Sequence, residues 1–525
     1  MKPKKLLIDG KSLKIEAIAG FVADKKRQIS LEPSALKVAE SAHEFLNRTL
    51  EQNNRVIYGI NTGFGPMANY ILAHGQILDL QKNLILSHAV GMGEKIPDDF
   101  VLAAMAVRLN TLVKGYSGIS AELLHRLEKF INLRIIPIVP EHGAVGTSGD
   151  LVQLAHIALA LLGKGDVVYK NQIRKTSSVL KERGLKPYAL KPKEGLSLIN
   201  GTSMMTGIAS LISNRSCGLL SLALRNGCLA LELVKAYDDS FSGKLHELRA
   251  HPGQMKVAAK MRQVLGGSRL IRNRESLNKN ANNGTKVSHI SESVQEVYSL
   301  RCLAQILGPA YETLARAWQT AEIEMNSVTD NPIIDIDGKK FLHGGNFHGD
   351  YVAVAMDQLK MSLVKLTMLS ERRLNFFLHD KINGLFPPFL NLDTPGLTLG
   401  LQGLQFVATS TTANSQTLAY PMNLHSIPTN GDNQDIVSMG TDAALLAGKV
   451  LDNAFIVAAI ESLALCQAVD FLKVQNQLSE DSKQLYDFVR ESVPTIVEDR
   501  HLQPELQTLL AKIKTWPGLN IFEKF

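Results

Sequence analysis

Apolar residues recur at helical spacing over most of the chain. In the first half the helical stretches are short and separated, at 34–52, 78–90, 98–112, 121–131 and 151–162. From Gly201 onward the texture changes to long stretches, at 202–237, 291–328, 351–379, 403–418 and 440–473. Several are apolar on more than one face, the pattern of helices in the middle of a bundle. So much apolar surface on long helices predicts burial against other subunits. Residues 55–60 read as a short strand entering a Gly-rich loop at 61–66. Residues 166–169 and 172–174 predict a hairpin within a small polar region that ends near Lys193. The interval 266–288 is rich in Asn, Arg, Lys and Gly without apolar period, which predicts a mobile loop. Pro387-Pro388 marks a break between helices, and there is no internal repeat or low-complexity tract. Three regions follow: 1–200 with the loops, 201–475 with the long helices, and a helical segment at 476–525.

Composition changes this picture little. The 525 residues are 45% hydrophobic and 20% charged, as in ordinary globular proteins. A net charge of +7 is a mild excess over this length, and no aromatic residues interleave a basic stripe. Nucleic acid is therefore not an expected partner; the excess fits a solvated surface that attracts anionic substrates. The cysteines, Cys217, Cys228, Cys302 and Cys466, form no C-x-x-C pair and lie in helix-like apolar contexts, as buried thiols of a reducing compartment do. The start, Met1-Lys2-Pro3-Lys4-Lys5, lacks the apolar core of a signal peptide. The longest apolar run near the C-terminus is interrupted by Glu461 and Asp470, so no membrane span is expected and the chain reads as cytoplasmic.

The chemistry centres on His142-Gly143-Ala144-Val145-Gly146-Thr147-Ser148-Gly149-Asp150, which opens onto the 151–162 helix. A Gly-rich turn before a helix is a phosphate-binding pattern, but the glycines read G-x-x-G-x-x-G rather than G-x-G-x-x-G. The preceding run contains Pro137, poor for a central strand, and no Walker-type motif occurs in the chain. A helix start, with Thr or Ser as N-cap and Asp150 in the first turn, is the simpler reading in isolation. The tripeptide Thr147-Ser148-Gly149 also permits a different chemistry. In a tight fold the Gly149 amide nitrogen attacks the Thr147 carbonyl carbon and closes a five-membered ring. Loss of water from the ring and of the Ser148 hydroxyl then leaves an electrophilic methylidene-imidazolone. Gly149 has no Cβ to obstruct the approach, and Gly146 and Gly149 permit unusual dihedrals.

Other blocks favour the second reading. Tyr58-Gly59-Ile60-Asn61-Thr62-Gly63-Phe64-Gly65, Ser148-Gly149-Asp150, Asn200-Gly201-Thr202, Tyr298-Ser299-Leu300-Arg301-Cys302, Gly344-Gly345-Asn346-Phe347-His348 and Asn433-Gln434-Asp435 occur in this order. Together they resemble the aromatic amino-acid and histidine ammonia-lyase family, over about 7–475. The resemblance implies a mainly α, ammonia-lyase/fumarase-like fold with an N-terminal region of active-site loops followed by a long-helix bundle. It also implies a methylidene-imidazolone cofactor, no metal or nucleotide, and a homotetramer whose active sites draw on more than one subunit. Glu296 and Ala304 stand where the family has Asp and Pro, changes that touch no proposed catalytic group, but one departure bears on the chemistry: the family builds its electrophile from Ala-Ser-Gly, and here Thr147 comes first. The ring then carries a hydroxyethyl group, at a carbon that is not the electrophile.

Eliminating ammonia from an α-amino acid requires activating the amine, removing a Cβ proton, holding the carboxylate and recognising the side chain. By resemblance Tyr58 is the base; an ordinary tyrosine titrates near about 10, so donors or cations beside it are expected. Arg301 suits the carboxylate through its bidentate fork. On a helix Gln295, Tyr298 and Arg301 share a face at i, i+3 spacing. Asn200 resembles the family asparagine that contacts substrate and electrophile, and Phe347 the pocket phenylalanine. His343 and His348, five apart without a third ligand nearby, do not make a zinc site.

Specificity is read from Ser87-His88 and from Asn430-Gly431-Asp432-Asn433-Gln434-Asp435. A histidine at position 88 can bond a phenolic hydroxyl or an imidazole but offers nothing to a bare phenyl ring. Histidine lyases carry a glutamate where Gln434 stands, and a neutral amide suits an uncharged aromatic better. Gly65-Pro66-Met67 also resembles the aromatic lyases. The residues therefore rank L-tyrosine, giving p-coumarate and ammonia, ahead of histidine and then phenylalanine. An aminomutase on the same scaffold is the main alternative reaction, and a helical binding protein whose electrophile never forms is the non-enzymatic one.

Overall fold

Among the described residues no strand exceeds four residues, so helices carry the architecture, as the sequence predicts. A computed structural model of the chain describes residues 5–52, 55–277, 290 and 292–522. The long helices run Ser203–Leu233, Leu303–Met325, Asp350–Leu378, Gln402–Thr417 and Gly440–Leu472. Ser203–Leu233 and Gly440–Leu472 are long and apolar enough to cross a membrane by composition alone. Within the fold, 83% and 78% of their most apolar windows are buried. The chain divides into two compact units.

The first unit comprises Met1–Asn214, Arg316–Gln358 and Pro421–Ala447. The short helices predicted from periodicity form as Pro33–Glu51, Ile77–His88, Asp98–Val113, Ala121–Asn132 and Leu151–Leu161. Asp98–Val113 is buried on every face from Phe100 onward, the signature of a central helix. The predicted hairpin forms from Asp166–Tyr169 and Gln172–Lys175. Lys170 and Asn171 both have positive φ (53° and 61°), as a two-residue turn matched to strand twist requires. Ile136–Pro137 joins this sheet as an edge strand beside Asp166–Tyr169, which is where a proline can sit.

Residues 55–60 do not form the expected strand. The Asn61 side chain accepts from Ile57 N (2.7 Å), while the Ile60 and Asn61 amides donate back to the Ile57 carbonyl. A local side-chain-to-backbone bond thus outcompetes extension.

The second unit comprises Arg215–Ala315, Leu359–Tyr420 and Gly448–Phe525. The helix expected over 291–328 begins later, with one turn at Tyr298–Arg301, a break at Cys302, and then Leu303–Met325. Ser293, Val294 and Gln295 are exposed and bury nothing that would support a helix, while Ser293 Oγ bonds the Gln295 carbonyl (2.9 Å). Gln295 therefore does not share a helical face with Tyr298 and Arg301. The expected loop at 266–288 is described only as far as Leu277, where Arg274 pairs with Asp239 (2.9 Å); its remainder lies outside the described residues, as do Met1–Lys4 of the basic start. Cys228 and Cys466 are buried as expected, whereas Cys217 and Cys302 are half-buried.

In this unit Arg373 and Glu461 form an ion pair with side chains 0% and 1% exposed. Arg373 Nη2 donates to Glu461 Oε2 (3.1 Å) and Asn226 Nδ2 donates to the same oxygen (3.1 Å). Such a pair adds little net stability, but removing one partner strands a buried charge. Arg373→Met is expected to cost about 3–5 kcal/mol, read as a shifted midpoint in chemical denaturation. The double variant Arg373→Met/Glu461→Leu is expected to recover most of that loss.

Candidate active site

The first unit encloses a cavity of about 940 Å³. It is lined by Tyr58, Gly65, Ser87, His88, Thr147, Ser148, Asn200, Phe347, Asn430 and Gln434 among others. Candidate residues from six separate stretches of sequence therefore converge on one space.

The loop at 143–150 is clamped through its backbone. The Val145 carbonyl accepts from Met439 N (3.0 Å) and the Gly146 carbonyl from Gly349 N (3.0 Å) and Ser438 Oγ (3.1 Å). Gly149 has φ +71°, and a Cβ there would lie 2.1 Å from the Gly201 carbonyl oxygen, so only glycine fits. That approach lets Asp150 N donate to Gly201 O (2.9 Å) and Gly201 N to Ser148 O (3.3 Å). Asn200 Nδ2 also donates to Ser148 O (2.9 Å). The Ser148 carbonyl thus receives two donors aimed from one side.

Asp150 stands at the N-cap of Leu151–Leu161 rather than in its first turn, and its side chain makes no bond to that helix. Its fully buried carboxylate accepts from Met204 N (2.8 Å), Met205 N (3.0 Å) and Thr441 Oγ1 (2.5 Å), so it caps the helix Ser203–Leu233, whose N-terminal amides favour an anion. Burial pushes this carboxyl up to about 6; the Thr441 hydroxyl, the two amides and the Arg108 charge pull it back.

Sequence reasoning missed Arg108. Its Nη2 donates to the carbonyls of Asn200 (2.6 Å) and Ser197, which end the helix Glu194–Ile199, and so fixes the residue that holds Ser148. Burial lowers the guanidinium to about 10 against the opposing pull of Asp330 and Asp150. Lys193 is equally buried and donates to Asp330 (3.1 Å), Ser117 O and Ser197 Oγ. The available signal for Arg108 was a lone cation in an otherwise apolar helix, since arginine is almost never fully buried without partners.

Tyr58 stands on a turn whose Gly59 has φ +65°. Its phenol oxygen accepts from Gly65 N (3.0 Å). Gly65 also has positive φ, and a Cβ there would lie 2.4 Å from the Asn430 amide. Buried Gln81, likewise missed, donates to Gly59 O (3.1 Å) and accepts from Leu196 N (2.9 Å), tying this turn to the helix before Asn200. The Phe64 ring meets Tyr58 edge-on, with centroids 6.2 Å apart.

His88 ends the helix Ile77–His88, and its Nδ1 bonds the Leu84 carbonyl (2.9 Å). Ser87 Oγ lies 3.0 Å from the same nitrogen and 3.1 Å from the same carbonyl; with the ring hydrogen on Nδ1, directed at that carbonyl, Nε2 is an acceptor. Across the cavity, Gln434 Oε1 accepts from Thr147 Oγ1 (2.6 Å) and Thr429 Oγ1 (3.1 Å), while its Nε2 donates to Ser148 Oγ (3.0 Å). Phe347 lines the wall beside His348, whose ring reaches Ile436 O (3.2 Å).

Gln295, Tyr298 and Arg301 belong to the second unit and do not line this cavity. Tyr298 is 69% exposed. The Arg301 guanidinium carbon lies 4.9 Å from the Tyr298 ring centroid, so those two do share a face.

The geometry fits a ring closed from Thr147-Ser148-Gly149: the glycine that must be approached has no room for a side chain, the middle carbonyl is polarised by two donors, and the serine hydroxyl faces an amide donor. The family profile described as aromatic amino acid lyase matches residues 13–491. The tyrosine 2,3-aminomutase of Chondromyces crocatus is 40% identical over 510 residues, 96% of this chain and 95% of that protein. The tyrosine ammonia-lyase of Cupriavidus metallidurans is 38% identical over 514 residues, 97% and 96%. The MIO-dependent tyrosine 2,3-aminomutase of Streptomyces globisporus is 38% identical over 505 residues, 95% and 93%. A crystal structure of tyrosine aminomutase from that organism superposes with a TM-score of 0.94, covering 98% of this chain and 97% of that one at 36% identity. Proteins named histidine ammonia-lyase match at 37% identity as well. With the profile spanning most of its length and relatives matched nearly end to end, the chain belongs to the aromatic amino acid lyase family of carbon–nitrogen lyases.

Proposed function

We propose that the protein converts L-tyrosine to p-coumarate and ammonia, using a methylidene-imidazolone formed from Thr147-Ser148-Gly149. The observation that favours tyrosine over phenylalanine is the bond between His88 Nδ1 and the Leu84 carbonyl. It leaves Nε2 as an acceptor, and a phenol hydroxyl is a donor. The neutral side chain of Gln434 agrees, since it offers no charge to an imidazolium.

The ring, once formed, supplies an electrophilic carbon that makes the amine a leaving group. Everything else falls to side chains. Asn200 Nδ2 and Gly201 N hold the Ser148 carbonyl and stabilise charge that gathers on it. The Tyr58 oxygen, oriented by Gly65 N, takes the Cβ proton as the Cα–N bond breaks and the Cα–Cβ double bond forms. His88 receives the phenol hydroxyl at the far end of the substrate.

The carboxylate clamp comes from a second copy of the chain within a homotetramer. Supporting this, Tyr298 is exposed and Arg301 Nε is buried without a hydrogen-bond partner. An aminomutase reaction is the second reading, favoured by the two aminomutases among the relatives. It uses the same residues and returns the ammonia to Cβ.

His88→Phe is expected to lower kcat/KM for tyrosine by roughly 5- to 100-fold, the cost of leaving a buried hydroxyl unpaired, while raising the relative rate with phenylalanine. The measurement is kcat/KM for tyrosine, histidine and phenylalanine in both proteins; a parent that prefers histidine overturns the assignment. Chromatography of the tyrosine reaction separates p-coumarate from β-tyrosine and so lyase from mutase.

The shared site is tested by complementation. Tyr58→Phe and Arg301→Met chains are each expected to be inactive alone. Co-expressed, they are expected to regain activity, because some sites then pair an intact Tyr58 with an intact Arg301 from another chain. No recovery places both residues in one chain's site.

A further inference from the structure

We propose that Gln434, oriented by Thr147 and Thr429, promotes departure of the Ser148 hydroxyl when the ring forms. The inference rests on the reading that this ring is made. It gives Thr147 a task that an alanine at the same position could not perform.

The Gln434 amide is held by hydroxyl partners at both ends. Its Oε1 receives two hydroxyl donors, Thr147 Oγ1 at 2.6 Å and Thr429 Oγ1 at 3.1 Å; the shorter is an O–H···O distance. The amide nitrogen must then face the other way, and it lies 3.0 Å from Ser148 Oγ. The backbone beneath is equally constrained. Thr429 and Gln434 exchange both backbone hydrogen bonds (3.0 and 3.3 Å) across a loop whose Asn430, Gly431 and Asp432 all have positive φ. The donor is therefore presented from a closed turn rather than from a freely moving segment.

The reaction balances without an oxidant or reductant. Ring closure joins Gly149 N to the Thr147 carbonyl carbon and releases that oxygen as water, with the hydrogens of the Gly149 and Ser148 amides. The Ser148 Cα proton is then lost and the Cβ–Oγ bond breaks, and these release the second water. As that bond breaks, negative charge collects on Oγ. A donor already aimed there meets the charge without rearrangement, and hydrogen bonds to charged groups are the stronger kind. A carboxylate at position 434 would present only acceptors to the same oxygen. Gln434 acts on the reacting atom; Thr147 is a positioning residue that works through Gln434.

The test is the intact mass of full-length chains, followed from cell-free synthesis onward, with circular dichroism as the check on folding. The parent is expected to become two waters lighter than its sequence, and Thr147→Ser, which keeps the hydroxyl, to match it. Gln434→Leu and Gln434→Glu, which lack the donor, are expected to lose the second water roughly tenfold more slowly, the scale of one charge-assisted hydrogen bond. Thr147→Val is expected to be slowed in the same direction. Variants that lose both waters at the parent's rate overturn the proposal while leaving the ring intact. A parent that is not two waters lighter overturns the underlying reading instead. Should Gln434→Leu fail to fold, Thr147→Val against Thr147→Ser carries the test, because the two differ from threonine by a hydroxyl and by a methyl respectively.

Discussion

The site depends on one backbone-to-backbone approach, between Gly149 and Gly201. A single added Cβ at Gly149 would meet the Gly201 carbonyl at 2.1 Å, so no other residue lets the two strands of chain come together. The approach brings Gly201 N and the Asn200 side chain onto the Ser148 carbonyl and sets the turn at the tripeptide. Tyr58, His88 and Gln434 line the same cavity as this turn.

Beneath the turn lies a set of buried charges that the reaction never touches. Asp150 holds the start of the helix Ser203–Leu233, Arg108 holds the end of Glu194–Ile199, and Lys193 holds Asp330. Each is costly to bury and is kept by several hydrogen bonds, which for Lys193 include an ion pair with Asp330. The arrangement fixes helix ends, and helix ends are where Asn200 and Gly201 stand. Stability is given up under the site in return for a defined geometry at its surface.

How much of this was legible in the sequence depended on the range of the forces. Helices such as Asp98–Val113 and Ala121–Asn132 appeared within a residue of expectation because their period is written locally. Most of the family motifs fall on one cavity, the block from Tyr298 to Arg301 lying outside it, and Thr147 was visible as a departure. The strand at 55–60 failed because the Asn61 side chain bonds backward to Ile57, which no alternation pattern records. The Gln295 placement failed because helical spacing was assumed across an exposed polar run that has nothing to bury. Arg108 and Gln81 act through carbonyls and amides distant in sequence, as does Thr147 through Gln434 287 positions away. Such contacts are not written in local spacing; the lone cation at Arg108 is the one hint among them.

The clamps on the 143–150 loop also impose an order in time. Gly349 N, Ser438 Oγ, Met439 N and Thr441 Oγ1 all hold that loop, and all are synthesised long after it. A ribosome-bound chain that has not passed Thr441 lacks the mould in which the tripeptide is bent. A reactive carbon arising on an unfolded chain would be open to any passing thiol or amine. Because the last parts of the mould are made late, a ring closed from this tripeptide would arise only inside a fold that already shelters it.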